Sequence, residues 1–153
     1  MQAPPAAVLP EVPLVLASIG YAVAYTGVGI ALLVVGYFVL DLLTPGHLGR
    51  HIYESRSANA AVTLAAGFLG QGMIVFATIW TNATSGFGLA LLYTVVFGLL
   101  GIVLQAVAFL VLDLITPGKL GEHLTQPTFN PACLVSAAVE LAVAVIIVAS
   151  IWP

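Results

Sequence analysis

The stretch that decides the fold is GFGLALLYTVVFGLLGIVLQAVAFLVLDLI, which runs from Gly86 to Ile115. Its 30 residues include one charged side chain, Asp113, close to the end. A helix crosses a bilayer in about 20 apolar residues, so this stretch predicts a membrane span that must tilt or project from the bilayer. Three further apolar runs predict spans at Leu14–Leu43, Ala58–Trp80 and Pro131–Trp152.

The composition of the whole chain agrees with a membrane protein. Of 153 residues, 61% are apolar and 6% are charged, whereas about 25% are charged in an ordinary soluble domain. This excludes a soluble enzyme, a nucleic-acid-binding protein and a disordered chain. A single cysteine, Cys133, excludes an intrachain disulfide. No enzyme or haem motif is present, so we expect no enzymatic activity, no cofactor and no metal. The predicted fold class is all-α, a polytopic membrane protein with four transmembrane helices.

The two halves of the chain are copies of each other. Residues 41–52 (DLLTPGHLGRHI) and 113–124 (DLITPGKLGEHL) are identical at eight of twelve positions, at an offset of 72. Trp80 and Trp152 match at the same offset, and Asn59 matches Asn130 at 71. Each repeat, 14–80 and 86–153, is therefore one two-span hairpin. Two spans return the chain to its starting side, so the repeats are parallel and related by an axis along the membrane normal.

The loops between spans predict the orientation. All three basic residues, Arg50, Arg56 and Lys119, lie in the loops that follow the first and third spans. The positive-inside rule places these loops in the cytoplasm and both termini outside. Residues 1–13 contain four prolines and no Lys or Arg, so we interpret them as a Pro-rich extramembrane lead.

The duplicated pattern resembles a known family. A long span ending in Asp-Leu-Leu-Thr-Pro-Gly, then a short polar loop, then Asn-x-Ala opening a second span, is similar to the domain of unknown function 350 family. The resemblance implies a small bacterial inner-membrane protein with two such units and no settled activity. Members often lie beside genes for polyamine-related enzymes, which suggests a polyamine as a candidate substrate. Pro131 and Glu140 have no counterpart in the first half.

The Thr-Pro-Gly motifs predict fixed helix ends. Proline disfavours helical geometry at the preceding threonine, and glycine accepts positive φ. The motif residues are Thr44, Pro45, Gly46, Thr116, Pro117 and Gly118.

Asp41 and Asp113 each lie in the last turn of a helix, where the helix dipole disfavours an anion. A compensating partner is therefore expected. It could be the first turn of the following span, near Asn59 or Asn130. Basic or imidazole side chains of the loops are the other candidates, namely Arg50, Lys119, His51 and His123. The aspartates are either structural caps or, with His51 and His123, a cation or substrate site at the cytoplasmic mouth. A duplicated metal site is not supported, because His47 is replaced by Lys119 in the second repeat.

Glu140 is the most informative single residue. It lies about 15 Å deep in the fourth span, and no span carries a Lys or Arg to pair with it. A carboxylate there costs at least about 2.5 kcal/mol, so we expect Glu140 to be protonated, hydrogen-bonded or facing water. Gln105 and Gln71 fall in the same slab of the membrane, at about 12 and 18 Å. The three residues form either a hydrogen-bonded knot that fixes helix pairing or a cation site on a permeation path.

Small residues recur at helical spacing in the first and third spans, and they predict close packing within the bundle or between subunits. They are Ala22, Thr26, Gly29 and Gly36, and then Thr94, Gly98, Gly101 and Ala108.

Two functions remain open from the sequence. One is a small oligomeric cation or polyamine transporter or channel component, embedded in the bilayer as a homo-oligomer because four spans enclose little volume. The other is a structural or signalling subunit that recruits cytoplasmic proteins through its Thr-Pro-Gly loops.

Overall fold

The computed structural model describes residues 12–152, which form four long helices and two short ones. The elements are α1 (Val12–Leu43), α2 (Leu48–Tyr53), α3 (Ala58–Thr81), α4 (Phe87–Ile115), α5 (Leu120–Leu124) and α6 (Ala132–Ile151). All four long helices are apolar and long enough to cross a membrane, which confirms the predicted fold class. The first begins at Val12, two residues earlier than expected, and residues 1–11 of the predicted lead lie outside the described part of the chain.

The loops between the spans of each repeat were predicted without helix, and this was wrong. His51 lies in α2 and His123 in α5. These helices are six and five residues long, too short to give a periodic sequence signal. α2 packs Leu48 into the bundle, and α5 packs Leu120 and Leu124, all three 1% exposed.

The two hairpins lie side by side in the bundle. The most extensive helix contact joins α3 to α6, and α1 packs along α4. The first spans of the two repeats therefore contact each other, and so do the second spans. The diagonal pair α3 and α4 also touches, whereas α1 and α6 share no comparable contact within residues 12–152. A two-fold axis between the hairpins would make the α3–α4 contact and the α1–α6 contact equivalent. They differ, so the second hairpin lies beside the first in the same direction.

The two repeats contribute hydrophobic core clusters at equivalent positions. Leu40, Leu48 and Ala60 form one buried cluster. Their counterparts at an offset of 72 belong to a second cluster around Phe109 and Cys133. These counterparts are Leu112, Leu120 and Ala132. A third cluster, of Ile74, Ala144 and Ile147, joins α3 to α6 across the two repeats. The end of the bundle at which α1 and α4 stop is called here the Thr-Pro-Gly end.

Candidate functional site

Each Thr-Pro-Gly motif builds a closed turn. α1 stops at Leu43 and α4 at Ile115, directly before the motifs. The hydroxyl of Thr44 donates to Leu40 O at 2.9 Å, and the hydroxyl of Thr116 donates to Leu112 O at 2.7 Å. Gly46 and Gly118 take φ values of 83° and 75°, which L side chains rarely adopt.

The two histidines of the predicted mouth site fold back onto their own turns. Nε2 of His51 donates to Pro45 O at 3.1 Å, and Nε2 of His123 donates to Pro117 O at 3.2 Å. In both turns the imidazole lies over the glycine, where a Cβ at Gly46 would be 2.7 Å from His51 Nε2. Each ring thus stabilises the Thr-Pro-Gly turn of its own repeat.

The aspartates also act locally. A carboxylate oxygen of Asp41 accepts the backbone N–H of Leu48, and one of Asp113 accepts that of Gly121 at 3.3 Å. These N–H groups lie at the starts of α2 and α5, where free donors attract an anion. The first turns of the following spans, near Asn59 and Asn130, were one set of candidate partners, and in the described structure the starts of α2 and α5 bind the aspartates instead. Among the described residues, ion-pair distance joins Asp41 to the exposed His47, at 3.6 Å, and neither aspartate to His51 or His123.

The two repeats are held together by Ser57 and Asn59, which precede and open α3. Asn59 is fully buried, and its Nδ2 donates to Gln126 O at 3.1 Å and Thr128 O at 2.8 Å. Its Oδ1 accepts the backbone N–H of Asn130 at 2.8 Å. The hydroxyl of Ser57 is 3.0 Å from Leu124 O and 2.9 Å from Gln126 O. The backbone between α5 and α6 is therefore bound by side chains of the first repeat.

The sequence did not predict these hydrogen bonds of Ser57 and Asn59 to the second repeat. Asn59 was noticed because it recurs as Asn130, yet Asn130 does something different. Its Oδ1 accepts the N–H of Ala132 at 3.0 Å, and its Nδ2 is 3.4 Å from His123 Nδ1. Ser57 has the residue type of a helix N-cap, and its oxygen also accepts from Ala60 N at 3.4 Å. That signal identified the helix start and gave no sign of the contact with residues 124–126.

The intramembrane polar residues all lie inside the bundle. Glu140 is 1% exposed, Gln71 2% and Gln105 6%. Nε2 of Gln71 donates to Gly98 O at 3.0 Å. The amide of Gln105 lies against α3, where a Cβ at Gly70 would be 2.6 Å from its Nε2 and 3.4 Å from the backbone oxygen of Glu140. Gln105 therefore reaches from α4 to the point where α3 and α6 meet.

Several buried polar atoms in this region have no hydrogen-bond partner among the described residues. They are Glu140 Oε2, Gln105 Nε2, Gln71 Oε1, Thr63 Oγ1 and Ser136 Oγ. A buried donor or acceptor left without a partner costs about 1–3 kcal/mol. The expected knot is therefore incomplete, because no hydrogen bond joins the Glu140 carboxyl to either glutamine in the described structure. Sequence reasoning did not select Thr63 or Ser136, since single hydroxyls are common in membrane helices.

A small cavity adjoins the two glutamines. It has a volume of about 20 Å³ and lies between α1, α3 and α4, with Gln71 and Gln105 as its polar lining. A space of at least about 10–15 Å³ holds one water molecule. The cavity can therefore accommodate one water molecule beside the two amides.

This arrangement defines the class of protein as a polytopic helical membrane protein with a buried polar centre. A family model described as "Domain of Unknown Function (DUF350)" matches residues 13–151, and the chain belongs to that family.

Curated relatives carry the same description of a membrane protein. The chain is 36% identical over 121 residues to a UPF0719 transmembrane protein of Mycolicibacterium paratuberculosis, covering 79% of this chain and 80% of the relative. It is 34% identical over 129 residues to UPF0719 transmembrane proteins of Mycobacterium bovis and Mycobacterium tuberculosis, covering 84% of each chain. No solved structure matches the chain.

Proposed function

We propose that this protein binds a small cation, most simply a proton, within the membrane, and that Glu140 is the residue that binds it. The observation that carries the proposal is the Glu140 carboxyl group, buried in a span with one oxygen lacking a hydrogen-bond partner. A carboxyl group that served only to fix helix pairing would be expected to have both oxygens satisfied, because an unsatisfied oxygen lowers stability.

The distribution of the other unpartnered polar atoms supports a path from one side. Counted from the ends of α3, α4 and α6 instead of from Asn59, Asp113 and Asn130, Ser136 and Thr63 lie about 6–8 Å deep and Glu140 about 12 Å. Gln105 and Gln71 follow at about 15 and 20 Å. Farther on, the hydroxyls of Thr78 and Thr94 bond to carbonyls of their own helices, at 2.8 and 2.9 Å. Unsatisfied polar groups thus extend from the Thr-Pro-Gly end to the middle of the bundle.

The size of the cavity limits the cation. The cavity is lined by Gln71 and Gln105 and not by Glu140, and its space for about one water cannot hold a polyamine, so a single chain favours a proton or a small inorganic cation. A polyamine would need a wider passage, formed between several copies. The proposed role is transport or proton coupling without enzymatic chemistry. We also propose that the protein lies in the bacterial cytoplasmic membrane, and that its Thr-Pro-Gly loops face the cytoplasm because they carry Arg50, Arg56 and Lys119.

The test compares Glu140→Gln with Glu140→Leu in proteoliposomes. Gln keeps the hydrogen-bonding capacity of the neutral acid and removes the proton-binding group. We expect Glu140→Gln to abolish proton or cation flux while leaving thermal unfolding nearly unchanged, and Glu140→Leu to abolish flux as well. The matched control is Glu122→Gln, an exposed acid in α5 that should leave flux intact. Undiminished flux in both Glu140 variants would contradict the proposal.

A second candidate is a structural or signalling subunit that acts through the two turns. The observation that favours it is the exposure of repeat-related leucines beside the turns, Leu42 at 86% and Leu114 at 85%. These side chains are available to lipid or to a protein partner at the membrane surface. For this function, Glu140→Gln should preserve activity in cells, whereas Leu42→Ser with Leu114→Ser should abolish it.

A further inference from the structure

The first repeat carries an open groove between α1 and α3. It is lined by residues of these two helices only, and it has a volume of about 370 Å³. Thr26 and Gly29 lie on the α1 side, and Gly72 and Val75 on the α3 side. A Cβ added at Gly29 or Gly72 would meet nothing within 4 Å. Residues 12–152 of a single copy therefore leave the groove unfilled.

The same surface of the second repeat is buried. At the offset of 72 that relates Asp41 to Asp113, the counterparts of these four residues are Gly98, Gly101, Ala144 and Ile147. All four are buried.

The first repeat fills this surface of the second. Leu32 of α1 occupies the space beside Gly98. A Cβ at Gly101 would be 2.8 Å from Ile74 Cδ1 of α3, and Ile74 also packs against Ala144 and Ile147. Leu32 and Ile74 are thus the side chains that the second repeat accepts from the first.

The counterparts of these two side chains are exposed in the described part of the chain. They are Leu104 and Ile146, and they are 39% and 66% exposed on the second repeat. The first repeat therefore carries an open groove, and the second repeat carries two exposed side chains, Leu104 and Ile146. Within the chain, the counterparts of these side chains fill the counterpart of the groove.

We propose that copies of this protein assemble head to tail in the membrane, with Leu104 and Ile146 of one copy packed into the Thr26–Gly29 groove of the next. The second repeat of one copy then packs against the first repeat of the next copy in the way that the two repeats pack within one chain. Small residues let the helices approach closely, as they do within one chain. A head-to-tail contact of this kind closes into a ring when its rotation divides a full turn. The proposal does not depend on the cation function.

The contact between copies differs from the contact within the chain. Thr26 stands where the second repeat has Gly98, and a Cβ at Gly98 would clash with Leu32 Cδ1, so the end of Leu104 must shift to fit beside Thr26. Gln71, which donates to Gly98 O within the chain, has Val143 as its counterpart. The contact between copies is therefore apolar and depends on side-chain packing.

Paired cysteines in a Cys133→Ala background test the geometry. Thr26→Cys combined with Leu104→Cys should give an oxidised ladder of dimers and larger species in native membranes. A mixture of the two single variants should stop at the dimer, and neither single variant should crosslink alone. Phe38→Cys with Leu104→Cys is the matched control, since Phe38 is 62% exposed on α1 and does not line the groove. A dimer from Thr26→Cys alone, or monomer only from the pair, would overturn the proposal.

A second variant fills the groove directly. Thr26→Trp should shift the mass of the detergent-solubilised protein toward the monomer, with thermal unfolding of the monomer unchanged because the groove is open there. Mass measured by light scattering is compared with that of Phe38→Trp, which should stay oligomeric. An unchanged oligomer in Thr26→Trp would contradict the head-to-tail contact.

Discussion

Gln105 occupies the space that a side chain at Gly70 would fill. A methyl group at position 70 would lie 2.6 Å from Gln105 Nε2 and 2.9 Å from Ala144 Cβ. The glycine thus allows an amide from α4 to reach the junction of α3 and α6. The polar centre depends on this missing side chain as much as on the polar residues themselves.

Gly70→Ala should destabilise the protein by about 1–3 kcal/mol, the usual cost of overpacking a close contact. Gln105 can move its flexible end, but Ala144 Cβ can move only with its helix backbone. Thermal or denaturant unfolding in detergent measures the effect. Gly88→Ala in α4 is the control, because nothing lies within 4 Å of its Cβ position, and it should be neutral or slightly stabilising. Equal stability of the two variants would show that the junction repacks without cost.

Asn59→Ala should cost more stability than Asn130→Ala, although the two residues are repeat counterparts. Asn59 is fully buried and makes three hydrogen bonds to the other repeat, each of which contributes about 0.5–1.5 kcal/mol. Asn130→Ala removes a bond within its own helix start and a long contact with His123. Proteolysis of the segment between α5 and α6 should accelerate in Asn59→Ala. Greater sensitivity of Asn130→Ala would contradict this assignment.

Asp41→Ala should loosen α2 and leave the four spans intact. The carboxylate caps the start of that helix, and losing such a cap costs about 0.5–2 kcal/mol. Hydrogen exchange at the amides of residues 48–53 should rise severalfold, and Asp41→Asn, which keeps an acceptor oxygen, should show a smaller rise. His47→Ala removes only an exposed ion pair and serves as the control. Altered exchange in the spans would indicate a wider role for Asp41.

Ser85→Cys should react with an impermeant maleimide from outside the cell, and Ser55→Cys only after permeabilisation. Both positions are exposed, and a Cys133→Ala background removes the native thiol. The reason is the clustering of Arg50, Arg56 and Lys119 in the loops at the Thr-Pro-Gly end. Labelling of Ser55→Cys in intact cells would reverse the proposed orientation.

Much of the architecture could be predicted because it depends on local or periodic signals. The spans follow from unbroken apolar runs, and Thr44 and Thr116 mark helix ends because proline and glycine restrict the adjacent backbone. The depth of Glu140 was also accessible, since counting residues along a helix fixes its position.

The features that could not be predicted from the sequence depend on contacts between residues far apart in the chain. Asn59 and the backbone it binds are separated by 67–71 residues. Repeat identity suggested that Asn59 and Asn130 would behave alike, but the side-by-side placement gives only Asn59 a neighbouring loop to bind within one chain. Similarly, Gly70 and Gln105 meet because of the helix arrangement, and no spacing along the sequence indicates that contact.

The extensive contact between α3 and α6 has a consequence for biogenesis. The ribosome delivers the spans in order, so α3 enters the bilayer before its main partner exists. Of the four spans it has the lowest mean hydropathy, 1.8, and it carries Asn59, Thr63 and Gln71. Until the second repeat arrives, Asn59 and Gln71 lack their final hydrogen bonds and all three polar side chains face lipid or the insertion machinery. Nascent chains that stop before Ala132 should therefore be the natural substrates of membrane quality-control proteases.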